Sequence, residues 1–148
     1  MIRLATRYDI KEIVKLVKEY SKEAPCKLAS IDENFDEEHI ENLLFQIIVG
    51  RGFIVIDDEY KGFIVGLITK NVWSENIIEL HELAWWVKHE CRNTSLGGRL
   101  WIEFNKQADE LIKQDRVQIV FVSSMVSSPK LDYEKRGYEL LEQTYYRI

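Results

Sequence analysis

Several things are scarce or missing in this sequence, and each removes a class of protein. Only two cysteines, Cys26 and Cys91, occur in 148 residues. A chain of this size can bury a core without covalent staples, so both are expected to be free thiols. No apolar run approaches the roughly 20 residues that cross a bilayer, and 63–68, around Gly66, is among the longest present. The opening Met1-Ile2-Arg3-Leu4 lacks the apolar core of a secretory signal, so a cytoplasmic protein that does not engage a membrane is expected. Positive charge is not in excess, since 20 Lys and Arg against 25 Asp and Glu leave a net charge of −5. That balance argues against duplex nucleic acid as a partner, because such binding rests on neutralising many phosphates. The histidines, His39, His81 and His89, are scattered without ligand spacing, so no metal is expected.

What is present reads as one globular domain over 1–148, with 46% hydrophobic and 30% charged residues. A short strand over 2–5 is followed by a helix start at Thr6 or Asp9, and Ile10, Ile13, Val14 and Val17 recur at helical spacing through Tyr20. A loop over 21–35, marked by Pro25, leads to a second helix over 36–49 whose stripe is Ile40, Leu43, Leu44, Ile47 and Ile48. Between Glu23 and Glu41 lie seven carboxylates and one lysine, Lys27. Such a run is a solvated face or a lip that attracts a cation.

Runs 53–56 and 62–69 form a hairpin, and 77–87 is a third, longer strand. A helix after Gly97 shows Leu100, Phe104, Ala108, Leu111 and Ile112 on one face, and the nearly all-apolar 117–122 reads as a strand covered on both faces in mid-sheet. A short helix from Pro129 to about Arg136, stopped by Gly137, and a closing strand over 139–148 complete the chain. The fold class is mixed α/β, a mostly antiparallel sheet with a central parallel strand pair and helices on both faces.

The most informative stretch is 77–101. Glu82-Leu83-Ala84-Trp85-Trp86-Val87 ends a strand, and Arg92-Asn93-Thr94-Ser95-Leu96-Gly97-Gly98 opens a helix. A strand-to-helix junction of this kind gathers free N–H groups, glycines and a positive helix end, which suits an anionic group. Arg92 adds charge, and Lys88, His89 and Arg99 stand nearby.

Arg92-x-x-Ser95-x-Gly97 resembles the Q/R-x-x-G-x-G/A cofactor loop of the GNAT superfamily of acyl-CoA-dependent N-acyltransferases, with serine at the middle glycine. Leu131-Asp132-Tyr133-Glu134-Lys135-Arg136-Gly137-Tyr138 is similar to that family's L-Y-E-K-x-G-F segment, displaced by one residue at its leucine, and Ile2-Arg3-x-Ala5-Thr6-x-x-Asp9 to its usual start. The likeness covers essentially the whole chain. It implies a GNAT-like fold and direct transfer of an acetyl group from acetyl-CoA to a primary amine, with no covalent enzyme intermediate. The acceptor would be a cationic small molecule or a protein amine, and dimers are common in the family, so a homodimer is possible. The cofactor site it implies comprises Arg92 to Gly98 around the pyrophosphate, with the backbone of Trp85, Trp86 and Val87 pairing with the pantetheine arm.

Acyl transfer to an amine needs a proton acceptor for the amine and a donor for the departing thiolate. Tyr133 occupies the family tyrosine position and is the donor candidate. Glu82 is the first candidate for the base, with His81, Glu79 or a water relay as alternatives; a bulge in the strand would change which face each occupies. Cys91 has no partner base in the sequence, and Cys26 sits among carboxylates that raise a thiol pKa, so neither is a nucleophile. Two departures from the family pattern stand out: Val126 where an asparagine is common, and Pro129 where a small residue is usual, with Ser127 or Ser128 as compensation. A second reading follows from them, a catalytically weak acyl-CoA-binding or protein-interaction module on the same fold.

Overall fold

The computed structural model describes residues 1–23, 34–126 and 128–147. Cys26, Pro25, Ser127 and the carboxylates Asp32 and Glu33 lie outside the described residues. The chain runs β1 (Ile2–Leu4), α1 (Ile10–Glu23), α2 (Glu37–Gln46), β2 (Gly52–Asp57), β3 (Gly62–Lys70), β4 (Ile78–Val87), α3 (Leu96–Lys113) and β5 (Ile119–Phe121).

Local chemistry starts and stops these elements where the sequence marks them. A short 3-10 turn, Arg7–Asp9, leads into α1. There the Asp9 carboxylate accepts from the Thr6 N–H at 2.8 Å, the Arg3 guanidinium through both oxygens at 2.8 Å, and the Tyr60 hydroxyl at 2.6 Å. Asp9 is buried, and the Arg3 guanidinium holds its carboxyl well below the usual carboxylate range. The Asp36 side chain caps α2 by accepting from the His39 N–H at 3.0 Å. The helix expected over 36–49 is α-helical only to Gln46, after which Ile47–Arg51 form a wider π-type turn that delivers the chain to β2.

The strands are arranged β1-β2-β3-β4-β5, antiparallel except for the parallel pair β4–β5. At Gly52 the backbone adopts φ +152°, and a Cβ there would sit 1.9 Å from the Gly66 carbonyl oxygen on β3, so only glycine fits. Alternation along β2 sends Phe53 and Val55 to one face and Ile54 and Ile56 to the other. The first pair packs with Ile64, Leu80, Leu100 and Phe104 under α3. The second packs with Ile13, Leu16, Leu44, Ile47 and Phe63 under α1 and α2. Helices therefore cover both faces, as expected of this fold class.

Three expectations are corrected at the C-terminal side. The parallel pair is at one end of the sheet, not in its middle, because 139–147 forms no strand. Leu140-Leu141 and Tyr145-Tyr146 place apolar residues side by side, so no register puts them all on one face, and Leu140 and Tyr145 are 75% and 84% exposed. With no neighbour beyond it among the described residues, β5 pairs only over Ile119–Phe121 instead of 117–122, and Ile119 is 38% exposed where double coverage was expected. The helix expected from Pro129 shortens to a 3-10 turn, Glu134–Arg136, because the Asp132 carboxylate caps the chain at the Lys135 N–H (3.1 Å). Gly137 ends that turn in the left-handed region at φ 87°.

Candidate active site

β4 is not a regular strand. Val65 faces Ala84 across the ladder while the next residue, Gly66, faces Glu82, so Leu83 is one residue too many and forms a β-bulge. Below it Leu80 points into the core under α3; above it Ala84 and Trp86 pack on the opposite face, with Trp85 and Val87 toward α3. On its other side β4 is paired with β5 only through Glu79, Leu80 and His81. Beyond His81 and Phe121 the two parallel strands part, and among the described residues the outer edge of β4 from Glu82 to Val87 has no strand beside it.

A cavity of about 440 Å³ fills that gap. From β4 it takes Glu82 to Val87; from the following loop and α3 it takes Arg92, Thr94, Gly97, Gly98 and Trp101. Tyr20 and Glu23 of α1 close one side, and Ser123, Met125, Ser128, Pro129, Leu131, Tyr133 and Arg136 close the other. Of the residues expected at a cofactor site, Trp85, Trp86, Val87, Arg92, Thr94, Gly97 and Gly98 line this cavity. Asn93 and Ser95 are exposed outside it, and Leu96 is buried in the core beneath α3.

Glu82 sits where the strands part. It is half-buried, and its Oε2 accepts from the Ser123 N–H at 3.4 Å across the opening. Burial pushes its carboxyl up to about 7, with the Ser123 N–H opposing weakly. Tyr133 reaches the same cavity from the opposite wall, its ring edge-on to Trp101 at 5.7 Å, and Trp101 stacks on Trp85 at 5.2 Å. Burial and the nearby Glu82 charge raise the Tyr133 phenol, which therefore keeps its proton at neutral pH. The two alternatives for the base lie elsewhere. Glu79 is buried, holds the Asn71 amide at 2.6 Å and His81 Nε2 at 3.0 Å, and is pushed down by both; His81 stacks on Phe121 at 4.8 Å, and neither lines the cavity.

At the start of α3 the first helical bond is from the Arg99 N–H to the Ser95 carbonyl. The Leu96 N–H reaches the Thr94 hydroxyl at 3.3 Å, whereas the N–H groups of Gly97 and Gly98 have no acceptor among the described residues. Both glycines line the cavity, and a Cβ at Gly98 would meet nothing within 4 Å. Two open donors at a positive helix end, with room in front of them, fit a phosphate group. Arg92 is not aimed at them. Its Nε donates to the Val87 carbonyl at 2.9 Å and its Nη2 to Glu23 Oε2 at 2.6 Å. Arg136, the other cation on the cavity wall, donates to the Asp132 carbonyl at 2.9 Å.

The sequence reading missed Tyr20, Trp101 and Arg136. Tyr20 falls three residues after Val17 and continues the stripe of α1, and Trp101 lies one turn beyond Gly97, so both carry the signature of core residues.

No family model and no curated protein sequence matches the chain. Solved structures do. An acetyltransferase of Trypanosoma brucei superposes with a TM-score of 0.66 at 15% identity, over 99% of this chain and 97% of its own. Glucosamine-6-phosphate N-acetyltransferase of Arabidopsis thaliana gives 0.66 at 14%, over 100% and 97%. An aminoglycoside acetyltransferase from an uncultured soil metagenomic sample, in complex with trehalose, gives 0.64 at 17%, over 100% and 95%. At these identities the likeness establishes the fold, which is the GNAT-like fold expected from the sequence. Among the described residues no group of histidine, cysteine or carboxylate side chains could hold a metal ion, and no helix is long and apolar enough to cross a membrane.

Proposed function

We propose that this chain is an acetyl-CoA-dependent N-acetyltransferase, one domain over 1–148, that acetylates a primary amine by direct attack on the thioester. The observation that carries this reading is Glu82 at the parting of β4 and β5, with a carboxyl near 7, in one cavity with Tyr133 and the open N–H groups of Gly97 and Gly98. Acetyl-CoA supplies a thioester whose carbonyl carbon accepts the amine and whose sulfur leaves. The Gly97 and Gly98 N–H groups bind the pyrophosphate, and the unpaired edge from Trp85 to Val87 holds the pantetheine arm as a strand would. Asn93, Ser95 and Leu96 shape the loop without lining the cavity.

Glu82 accepts the proton of the attacking amine. A base near 7 is half-ionised at neutral pH and still basic enough to serve. Tyr133, held protonated against Trp101, gives its proton to the departing sulfur. The shared fold of acetyltransferases that act on aminoglycosides or glucosamine 6-phosphate supports an amine acceptor here, and Glu82 and Glu23 in the cavity favour a cationic one. A homodimer is compatible with this site, which draws all its named groups from one chain.

Calorimetric titration with acetyl-CoA, followed by detection of free CoA thiol against a panel of amines, tests the proposal. Saturable binding and amine-dependent thiol release are expected. Binding with no release for any amine would instead support an acyl-CoA-binding module, and no binding at millimolar acetyl-CoA would overturn both readings.

A further inference from the structure

The cavity contains a second carboxylate that takes no part in the proton transfers above. Glu23, the last residue of α1, turns its Oε2 to two donors at once: Arg92 Nη2 at 2.6 Å and the Trp86 indole Nε1 at 3.2 Å. The Arg92 guanidinium also lies over the Trp86 ring, 5.8 Å from its centroid. The indole thus holds the carboxylate by its edge and the guanidinium by its face. The Glu23 and Arg92 side chains are 46% and 37% exposed, so the pair sits at the wet rim of the cavity, where an ion pair is weak and exchangeable.

Arg92 is therefore bonded to a carboxylate in the free protein, while the open N–H groups that fit a phosphate lie on the same cavity wall. A pyrophosphate carries more charge than one carboxylate and presents paired oxygens that suit the planar guanidinium. Drawing Arg92 to such an anion leaves Glu23 still tethered to the Trp86 indole. It now carries an uncompensated negative charge and faces a cavity that holds the reactive Glu82. The ring face vacated by the guanidinium is a second attraction for a cation.

We propose that Glu23 is a specificity-determining residue: Arg92 masks its carboxylate in the free protein, and an anionic cofactor unmasks it to receive an ammonium group of the acceptor. The proposal rests on the acetyl-CoA reading and deepens it. The preferred acceptor carries a second cationic group beside the reacting amine, one amine at Glu82 and one ammonium at Glu23. Cofactor and acceptor then bind with positive coupling, because each competes with the same ion pair.

The test is calorimetric titration of the full chain with spermidine, with and without saturating CoA, at 150 mM salt. CoA cannot turn over, so only binding is read. In the wild type CoA is expected to tighten spermidine at least about threefold. Glu23→Gln keeps an oxygen for the Trp86 indole and removes the charge, and it should abolish that ratio. Arg92→Ala should bind spermidine equally with and without CoA, because nothing masks Glu23. A wild-type ratio of one, the same ratio in Glu23→Gln, or no spermidine binding in the presence of bound CoA would each overturn the proposal while leaving the cofactor reading intact. Failure of CoA itself to bind the wild type would overturn the cofactor reading as well, so the two failures are distinct.

Discussion

Replacing Glu82 by glutamine separates the two roles burial gives that carboxyl, one in catalysis and one in stability. Its pKa is raised from 4.5 to about 7. The folded protein therefore binds this proton more tightly than the unfolded chain, so the stability it confers is fully present below 4.5 and is lost as pH rises through about 7. The full difference corresponds to about 3 kcal/mol. Glu82 is half-buried and faces a wet cavity, so water recovers part of it and about 1–2 kcal/mol is the realistic figure. Glu82→Gln carries no charge at any pH. Relative to the wild type it should be nearly unchanged at pH 4.5 and more stable by about 1–2 kcal/mol at pH 8. Urea unfolding of both proteins at the two pH values measures this directly. The wild-type kcat/KM for thiol release should rise with pH through about 7, and the variant should lose about 100-fold or more. A stability difference independent of pH would refute the raised carboxyl. A pH-rate profile with no limb near 7, or a variant as active as the wild type, would refute its role as base.

Other perturbations test other parts of the site. Tyr133→Phe should lower kcat about 100-fold while the CoA dissociation constant stays within about twofold, as read by thiol release and calorimetry. Gly98→Ala has open space around the new methyl and should gain about 0.5–1 kcal/mol in helix stability. Gly98 also lines the cavity beside the open N–H groups, so CoA affinity should fall in titration, and an unchanged affinity would remove the helix end from the site. Gly52→Ala would bring its Cβ to 1.9 Å from the Gly66 carbonyl oxygen at a positive φ, and a loss of about 3 kcal/mol or more is expected in thermal unfolding.

Periodicity revealed the elements whose burial is one-sided and local. The stripe of α1, the β2–β3 hairpin and the amphipathic α3 lie where 3.6- and 2-residue spacing places them, because each needs only its own sequence to define a buried face. The C-terminal side was not legible in that way. Residues 117–122 read as a central strand because they are apolar, yet whether a strand is central depends on a neighbour, and 139–147 does not provide one. The loop before α3 was recognisable from Arg92, Gly97 and Gly98. The ion pair that occupies Arg92 was not, since Glu23 lies 69 residues away and reads locally as the acidic end of a helix. The sequence also left Glu79, His81 and Glu82 on undecided faces. The bulge at Leu83 could not be placed without the ladder, and the ladder sets Glu82 alone of the three in the cavity.

Leu83 has a further consequence. Removing it would leave every pairing on either side of it in place: Gly62 with Val87 through Val65 with Ala84, and Gly66 with Glu82 through Lys70 with Ile78. In the language of mechanical assembly, β4 is two straight rails joined with a one-residue spacer. The sheet is indifferent to the spacer, since both rails keep their partners. The cavity is not, because Leu83 itself lines it and the spacer turns the upper rail relative to the lower. Foldability and the shape of the site are thereby written into different residues of one strand, so a single-residue deletion could erase the second and spare the first.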